Sequence, residues 1–218
     1  MSSYSYIDIH KHGKASPISN DTLTILNVHE HFNEVSFETQ CSMGIHPWYL
    51  NNIGEQYDAL KNEAVQKNVI AIGECGLDHL RGAPMEQQIE AFEMQIQLAN
   101  ALRKPLIIHC VKAYPEIFSL LKKAFVPVVF HGFDKRLSIA KEVLQRGYYI
   151  SFGAALLHTS SAAYQTFSEV PVERVFFETD DASVAIKEIY KAAAVIRKTH
   201  IDAIILQVLE NCKTVFNL

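Results

Sequence analysis

The sequence predicts an α/β fold in which eight parallel strands form a (β/α)8-type barrel, built as one domain over residues 1–218. Short runs rich in β-branched and aromatic residues alternate with segments of helical periodicity, the pattern of a parallel sheet covered by helices. The 218 residues, 49% of them hydrophobic, suffice for one core near the lower size limit of such a barrel. Several of the predicted strands also end in a metal-binding side chain.

The candidate strands are recognised as short apolar runs bounded by turn residues or by helical segments. In chain order they are Tyr6–His12, Thr22–His29, Thr39–His46, Val69–Glu74, Leu106–His109, Val128–His131, Tyr148–Gly153 and Val175–Asp180. Active sites of parallel barrels lie at the C-terminal ends of the strands. We therefore expect the histidines and carboxylates at these strand ends to converge on one polynuclear metal centre.

The helical segments follow from spacings of three and four between apolar residues. The clearest is Met85–Leu102, which places Ile89, Phe92, Ile96 and Ala99 on one face. Further helices are predicted at 54–68, 114–124, 135–146 and 184–198, and at the C-terminus after an N-cap at Thr199.

The N-terminal third fits the barrel pattern less well. The connection between the first two strands is short and contains Gly13 and Pro17, and the next connection is shorter still. A parallel crossover usually needs a helix. We expect the first helices to be short or absent and the barrel to be distorted or open there.

Composition limits the cell compartment and the partners. Cys41, Cys75, Cys110 and Cys212 form no CxxC pair, so neither a disulfide scaffold nor a zinc ribbon is indicated. Met1–Tyr4 leads directly into the first strand, and no apolar run approaches a membrane-spanning length. A soluble, cytoplasmic protein without a membrane or obligate protein partner is expected. The formal net charge of −4 gives no broad attraction to nucleic acid.

His10 and His12 provide the sharpest single signal, because residues two apart on a strand point to the same face and can bind one ion. An isolated pair of this kind is more often solvated, but the ligands at later strand ends favour the metal site. Asp8 points to the same face but lies deeper, so it is expected to orient a ligating histidine.

The later strand ends supply the remaining candidates. Glu74 follows an apolar strand and is costly to bury unless it binds a metal or pairs with a cation from a helix. His109 and His131 are candidate ligands, although either alone could be a core histidine bonded to a carbonyl. Asp180 could hold a cation and take a proton from the attacking water. Glu178 is expected one layer below it.

Ordered motifs over nearly the whole chain resemble one family, the TatD-like metal-dependent hydrolases, a branch of the amidohydrolase superfamily with a TIM-barrel fold. The matching motifs are DxHxH at Asp8–His12, GxHP at Gly44–Pro47, IGExGLD at Ile72–Asp78, PxxIH at Pro105–His109, HxF at His131–Phe133, ETD at Glu178–Asp180 and NxxxxF at Asn211–Phe216.

The resemblance implies a site for one or two divalent cations (Zn, Mn or Mg). It assigns His10, His12, Glu74 and Asp180 to one cation, and Glu74, His109 and His131 to the other. It also implies phosphodiester hydrolysis at DNA ends, with Asp180 and Glu74 as the catalytic carboxylates. His46 becomes a candidate substrate contact, with the shaping of a turn before Pro47 as the alternative.

The departures from the family pattern concern the substrate. Lys112 is only a partial replacement for the family's arginine after His109. The long basic loop that usually follows Asp180 is absent, which predicts a shallower and less basic cleft. Three hypotheses follow: a nuclease acting on DNA or short oligonucleotide ends, a hydrolase of a small phosphoester, amide or lactone, and a noncatalytic barrel that keeps the ligands for stability.

Overall fold

The computed structural model describes residues 5–13 and 21–218. Eight strands form one sheet in chain order. They are β1 Tyr6–Lys11, β2 Thr22–Val28, β3 Cys41–Met43, β4 Val69–Asp78, β5 Leu106–Val111, β6 Val128–Phe130, β7 Tyr149–Phe152 and β8 Val175–Phe177. Main-chain bonds also join β1 to the segment after β8, because His12 N donates to Asp180 O and Asp180 N donates to His10 O, both at 2.9 Å. The predicted fold class, an eight-stranded α/β barrel, is confirmed.

The chain divides into two compact units. One comprises the described residues up to Ile25 together with Phe130–Leu218, and the other comprises Leu26–Val129. Strands β7 and β8 pair in parallel in the first unit. Strands β2 to β5 pair in parallel in the second. The expectation of a single domain stays a prediction.

Seven α-helices lie in the described part of the chain. They are α1 Ile53–Glu63, α2 Met85–Leu102, α3 Tyr114–Leu120, α4 Leu137–Gln145, α5 Ala162–Phe167, α6 Ile186–Arg197 and α7 Ile201–Phe216. None of the helices in these ranges is both long and apolar enough to span a membrane.

Three details of the helix prediction are wrong. Helix α1 ends at Glu63 rather than at residue 68. Just beyond this end, the ammonium group of Lys104 binds the main-chain oxygens of Ala64 and Gln66. The N-cap of α7 is His200 and not Thr199, because the His200 side chain accepts from Asp202 N. Helix α5 was not predicted, since six residues are too few to show a clear period.

The expected reduction of the first helices is confirmed where the chain is described. Between β2 and β3 there is only the 3-10 helix Phe32–Glu34. The connection containing Pro17 and the lead-in Met1–Tyr4 lie outside the described residues.

Helix α2 packs through a mixed face. Of the predicted apolar face, Phe92, Ile96 and Ala99 are buried. Gln88 and Gln95 are also buried, and both hold main-chain atoms at the C-terminal side of the strands. Gln95 brackets Ile45 with bonds of 2.7 and 3.1 Å, and Gln88 accepts from Asp78 N at 2.8 Å. The helix therefore supports the segments that carry His46 and Asp78.

In the other unit, α6 fixes the position of β1. The Tyr190 hydroxyl accepts from Ile7 N at 3.2 Å and donates to Ile7 O at 3.0 Å, and the ring is fully buried. Phe177 packs edge-on against this ring. These contacts anchor the strand that carries His10.

Candidate metal-binding clusters

His10, His12 and Asp180 form a cluster at the end of β1. The Nε2 atoms of the two histidines are 3.3 Å apart. Asp180 Oδ1 lies 3.3 Å from His12 Nε2 and 3.9 Å from His10 Nε2. The side chain of His10 is fully buried, whereas Asp180 is 37% exposed. Two imidazoles and one carboxylate thus point at a common position that solvent can reach.

His131 and Glu178 extend this cluster. Glu178 has no exposed side-chain surface, and its Oε1 accepts from Gly132 N at 2.6 Å and lies 3.3 Å from His131 Nδ1. The His131 ring lies beside that of His10, with 4.3 Å between centroids. His131, Glu178 and Asp180 also form a group whose ligand-type atoms are within 4.8 Å of one another.

Asp8 lies below the histidine pair and binds the segment after β8. Its Oδ1 accepts from Thr179 N at 2.9 Å and its Oδ2 accepts from Thr179 Oγ1 at 2.6 Å. Asp8 therefore positions the residue directly before Asp180.

The carboxylates of this unit have shifted pKa values. Burial raises the pKa of Asp8 to about 6, against the opposing hydrogen bonds from Thr179. Burial and the charge of Glu178 raise the pKa of Asp180. Burial also disfavours ionised Glu178, but His131, and then His10 and Ser151, hold the pKa of Glu178 below its ordinary value.

The second unit has its own cluster around Glu74 at the middle of β4. Glu74 Oε1 lies 2.7 Å from His109 Nδ1 and 3.0 Å from His46 Nε2. Asn27 accepts from Glu74 N at 2.9 Å and donates to Glu74 Oε2 at 3.4 Å. All three ligand-type residues are buried. Asn27 thus holds Glu74 in place through Oε2 and the main chain, while Oε1 of Glu74 faces the imidazoles of His46 and His109.

Close packing of β4 on β5 brings Glu74 and His109 together. Gly76 pairs with His109 in the parallel register. With φ at +144°, a Cβ at Gly76 would lie 2.0 Å from His109 O. Only glycine permits this approach.

Asp78, at the end of β4, contacts the other nitrogen of the His109 ring. Its Oδ2 lies 3.1 Å from His109 Nε2 and accepts from Trp48 Nε1 at 2.6 Å. Its Oδ1 accepts from Leu80 N and Arg81 N. Burial opposes ionisation, but these bonds from His109, Trp48 and Leu80 hold the pKa of Asp78 below its ordinary value.

Both clusters have the chemistry of a cation site. Bonds of about 2.0–2.1 Å at tetrahedral angles place neighbouring ligand atoms roughly 3.3 Å apart. Two of the three distances in the His10–His12–Asp180 group match this value, and the third is 3.9 Å. In the other cluster both nitrogens of His109 face carboxylates, and a neutral imidazole has only one N–H to donate. A cation held by Nδ1 and Glu74 would satisfy the second contact.

The predicted site residues fall into these two groups. His10, His12, His131 and Asp180 gather in one unit, and Glu74 and His109 gather in the other together with His46, the proposed substrate contact. Lys112 is exposed just after β5, in a left-handed conformation with φ 55°. The ligand roles assigned to these residues stay predictions.

Sequence reasoning missed the parts played by Asn27, Trp48 and Asp78. Asp78 stands inside the IGExGLD motif, and Trp48 follows the GxHP motif directly, so both lay in segments already singled out. Asn27 gave no such signal, because it lies near the end of β2 outside every motif that was singled out.

Comparison with known proteins places these motifs in one family. The family described as TatD related DNase matches residues 10–217. A protein of Buchnera aphidicola named as an uncharacterized metal-dependent hydrolase is 34% identical over 145 residues, which cover 64% of this chain and 54% of the relative. A protein of Citrobacter koseri named 3'-5' ssDNA/RNA exonuclease TatD is 29% identical, over 79% of this chain and 71% of the relative.

The fold has close counterparts among solved structures. The TatD homologue YJJV of Escherichia coli superposes with a TM-score of 0.82 at 22% identity, over 98% of each chain. The chain spans 54%, 60% and 65% of the lengths of three curated relatives. The match therefore covers between about half and two thirds of the length of each of these relatives.

Proposed function

This chain belongs to the TatD-related DNase family, and on that premise we propose that it is a divalent-metal-dependent hydrolase that cleaves phosphodiester bonds with water. The observation that carries the proposal is the gathering of histidine and carboxylate side chains from within the strands and from the segments just after them. Within single units of the described chain, three groups have ligand-type atoms within 4.8 Å of one another: His10, His12 and Asp180 and also His131, Glu178 and Asp180 in one unit, and His46, Glu74 and His109 in the other.

The proposed ligands are the residues that the sequence resemblance assigns, except that His131, which the resemblance gives to the cation of Glu74 and His109, lies in the unit of His10, His12 and Asp180. His10, His12, His131 and Asp180 would hold a cation in one unit, and Glu74 and His109 would do so in the other. A bound divalent cation would lower the pKa of a water molecule and stabilise negative charge on phosphoryl oxygens. That Glu74 serves both cations remains a prediction.

Asp180 is the proposed proton acceptor. Its carboxylate is 37% exposed and lies beside the two histidines, whereas Glu178 has no exposed side-chain surface. Only Asp180 can contact an incoming water molecule and then release the proton to solvent. Glu178 instead holds Gly132 and His131 in place.

Nucleic acid is the proposed substrate class. The Citrobacter relative is named as an exonuclease of single-stranded DNA and RNA, and a human relative is named as a 3'-5' RNA nuclease. Zn, Mn and Mg all suit a site of imidazoles and carboxylates. A reducing, cytoplasmic setting is proposed from the four cysteines, all of which lie in the described part of the chain and none of which forms a disulfide.

One observation favours a second candidate, a hydrolase of a small phosphoester, amide or lactone. Only residues 178–185 separate β8 from α6, where a longer basic loop would add cationic surface. Together with the net charge of −4, this limits the attraction for a long polyanion.

The test compares Asp180→Asn with Asp181→Asn, an exposed neighbour. Both variants and the unsubstituted protein are assayed with Zn, Mn or Mg on short single-stranded DNA and RNA, small phosphoesters, amides and lactones. Metal-dependent cleavage of phosphodiesters that falls at least ~100-fold in Asp180→Asn alone supports the proposal. Turnover of small substrates alone would favour the second candidate, and inactivity of the fully metallated protein would leave the noncatalytic hypothesis.

A further inference from the structure

We propose that Trp48, flanked by Tyr49, is a stacking platform for one nucleobase of a single-stranded nucleic acid. The inference rests on the proposed function and adds to it a site that recognises the base rather than the phosphate. Stacking on aromatic side chains is the usual way in which proteins hold single strands without reading their sequence, because every base has a flat π-face.

The exposure of the two rings carries the first step. Trp48 is 37% exposed and Tyr49 is 42% exposed, although both follow the buried segment that contains His46. The rings stand at 72° with 6.5 Å between centroids. Large aromatic rings that served only the core would be buried, whereas these two form an open apolar corner.

Hydrogen bonds hold the Trp48 ring in position, and a ring stack holds the Tyr49 ring. Trp48 Nε1 donates to Asp78 Oδ2 at 2.6 Å, and Trp48 N donates to His46 Nδ1 at 3.1 Å. Tyr49 stacks on His29, with centroids 4.6 Å apart and planes within 15°. A ring that is fixed before binding loses little conformational entropy when a base stacks on it.

The platform lies beside the Glu74 cluster. The Trp48 ring centroid is 4.9 Å from that of His46 and 5.5 Å from that of His109. Both imidazoles contact the same oxygen of Glu74. A strand with one phosphate at this cluster could therefore stack a neighbouring base on Trp48.

A cation completes the arrangement. The Arg81 guanidinium lies 5.1 Å from the centre of the Trp48 ring, and its residue is exposed. Arginine next to an aromatic face can pair with a backbone phosphate and also stack on the base. The combination of one cation and one platform suits a nucleotide better than a simple phosphoester.

The first experiment uses the tryptophan itself, because Trp48 is the only tryptophan of the chain. Intrinsic fluorescence is followed while the metallated protein is titrated with a short phosphorothioate oligothymidylate that resists hydrolysis. A matched oligonucleotide with abasic sites at all positions is the comparison. We expect saturable quenching by the oligothymidylate and little or none by the abasic strand. Equal responses to the two strands, or no quenching by either, would overturn the proposal.

The second experiment separates the ring from its hydrogen bond. Binding of labelled oligothymidylate is measured by fluorescence anisotropy for Trp48→Leu, Trp48→Phe and the control Phe125→Leu, in which an 87% exposed ring of the same unit is removed. Trp48→Leu should weaken binding roughly 10-fold, and Trp48→Phe should stay within a few-fold of the original protein. Phe125→Leu should bind as the original does.

Metal affinity, measured by calorimetry on the same variants, distinguishes a platform from a merely structural role. Trp48→Leu and Trp48→Phe both lose the Nε1 bond to Asp78, so any change in metal affinity should be equal in the two variants, whereas only Trp48→Leu should lose oligonucleotide affinity. A loss of metal affinity equal to the loss of oligonucleotide affinity would contradict the proposal. Hydrolysis of phosphodiesters with no preference for base-containing strands would refute the platform and leave the proposed function standing.

Discussion

Asp78 Oδ2 and His109 Nε2 lie 3.1 Å apart, so the carboxylate at the end of β4 holds one side of the imidazole on β5. The opposite nitrogen, Nδ1, is the one that faces Glu74. A carboxylate behind a histidine fixes the tautomer and the ring orientation and makes the other nitrogen a better ligand. Asp78 is therefore a positioning residue for the Glu74 cluster.

Replacing Asp78 by asparagine should weaken cation binding at this cluster. An amide has only one oxygen, so it cannot accept from Trp48 and His109 and also from Leu80 N and Arg81 N as the two carboxylate oxygens do. Loss of such a partner typically costs roughly 10- to 100-fold in metal affinity. Isothermal titration with Zn or Mn measures the change. Asp58→Asn, on the exposed face of α1, is the matched control. Equal affinities in the two variants would show that Asp78 does not orient the ring.

Cation binding should stabilise the fold through His12. A ligand that binds only the folded state at a hundred times its dissociation constant adds about 2.7 kcal/mol to the free energy of unfolding. We expect a rise in Tm with Zn or Mn that a chelator reverses and that is reduced in His12→Gln. His158→Gln changes an exposed histidine and should keep the full rise. Equal rises in both variants would exclude His12 as a ligand.

Thr179→Val should destabilise the metal-free protein. Valine keeps the shape of the side chain but removes the hydroxyl that donates to the buried Asp8 at 2.6 Å. Leaving a buried acceptor without that donor costs about 1–3 kcal/mol, to be measured by urea denaturation. Thr214→Val, which removes an exposed hydroxyl on α7, should stay within about 0.5 kcal/mol of the original protein. A Thr179→Val value in that same range would contradict the prediction.

Alkaline pH should destabilise the protein partly through Cys41. Burial raises the pKa of this thiol from its ordinary value near 9 to about 12, while Lys104 lowers it slightly. Below the ordinary value the thiol is protonated in both states. Between the two values it ionises only in the unfolded chain, so the free energy of unfolding falls by about 1.4 kcal/mol per pH unit from this group.

Cys41→Ala should remove that contribution. The difference in unfolding free energy between the original protein and the variant is measured by urea denaturation at about pH 8.5 and about pH 10.5. Groups other than Cys41 contribute equally to both proteins and cancel in the comparison. A difference that stays constant over this pH range would show that folding does not raise the pKa of the Cys41 thiol.

The eight strands could be predicted from the sequence because burial on both faces and β-branched composition are local properties that each segment carries by itself. The ligand types could be predicted for the same reason: each histidine or carboxylate directly follows or ends an apolar run. The ends of the helices could be predicted less well from the sequence. The end of α1 coincides with contacts from Lys104, which is about forty residues away along the chain.

The composition of each cluster was decided by the tertiary structure alone. Sequence order indicated that His46 and Glu74 lie near one edge, but not that one oxygen of Glu74 would face both His46 and His109. Nor could it reveal that Asp78 would join His109 to Trp48. Such contacts depend on strand register and on side-chain rotamers, which are set by packing between residues far apart in the chain. The sequence determines which chemical groups lie in and just after the strands. The folded chain determines which of them come close enough together to hold one cation.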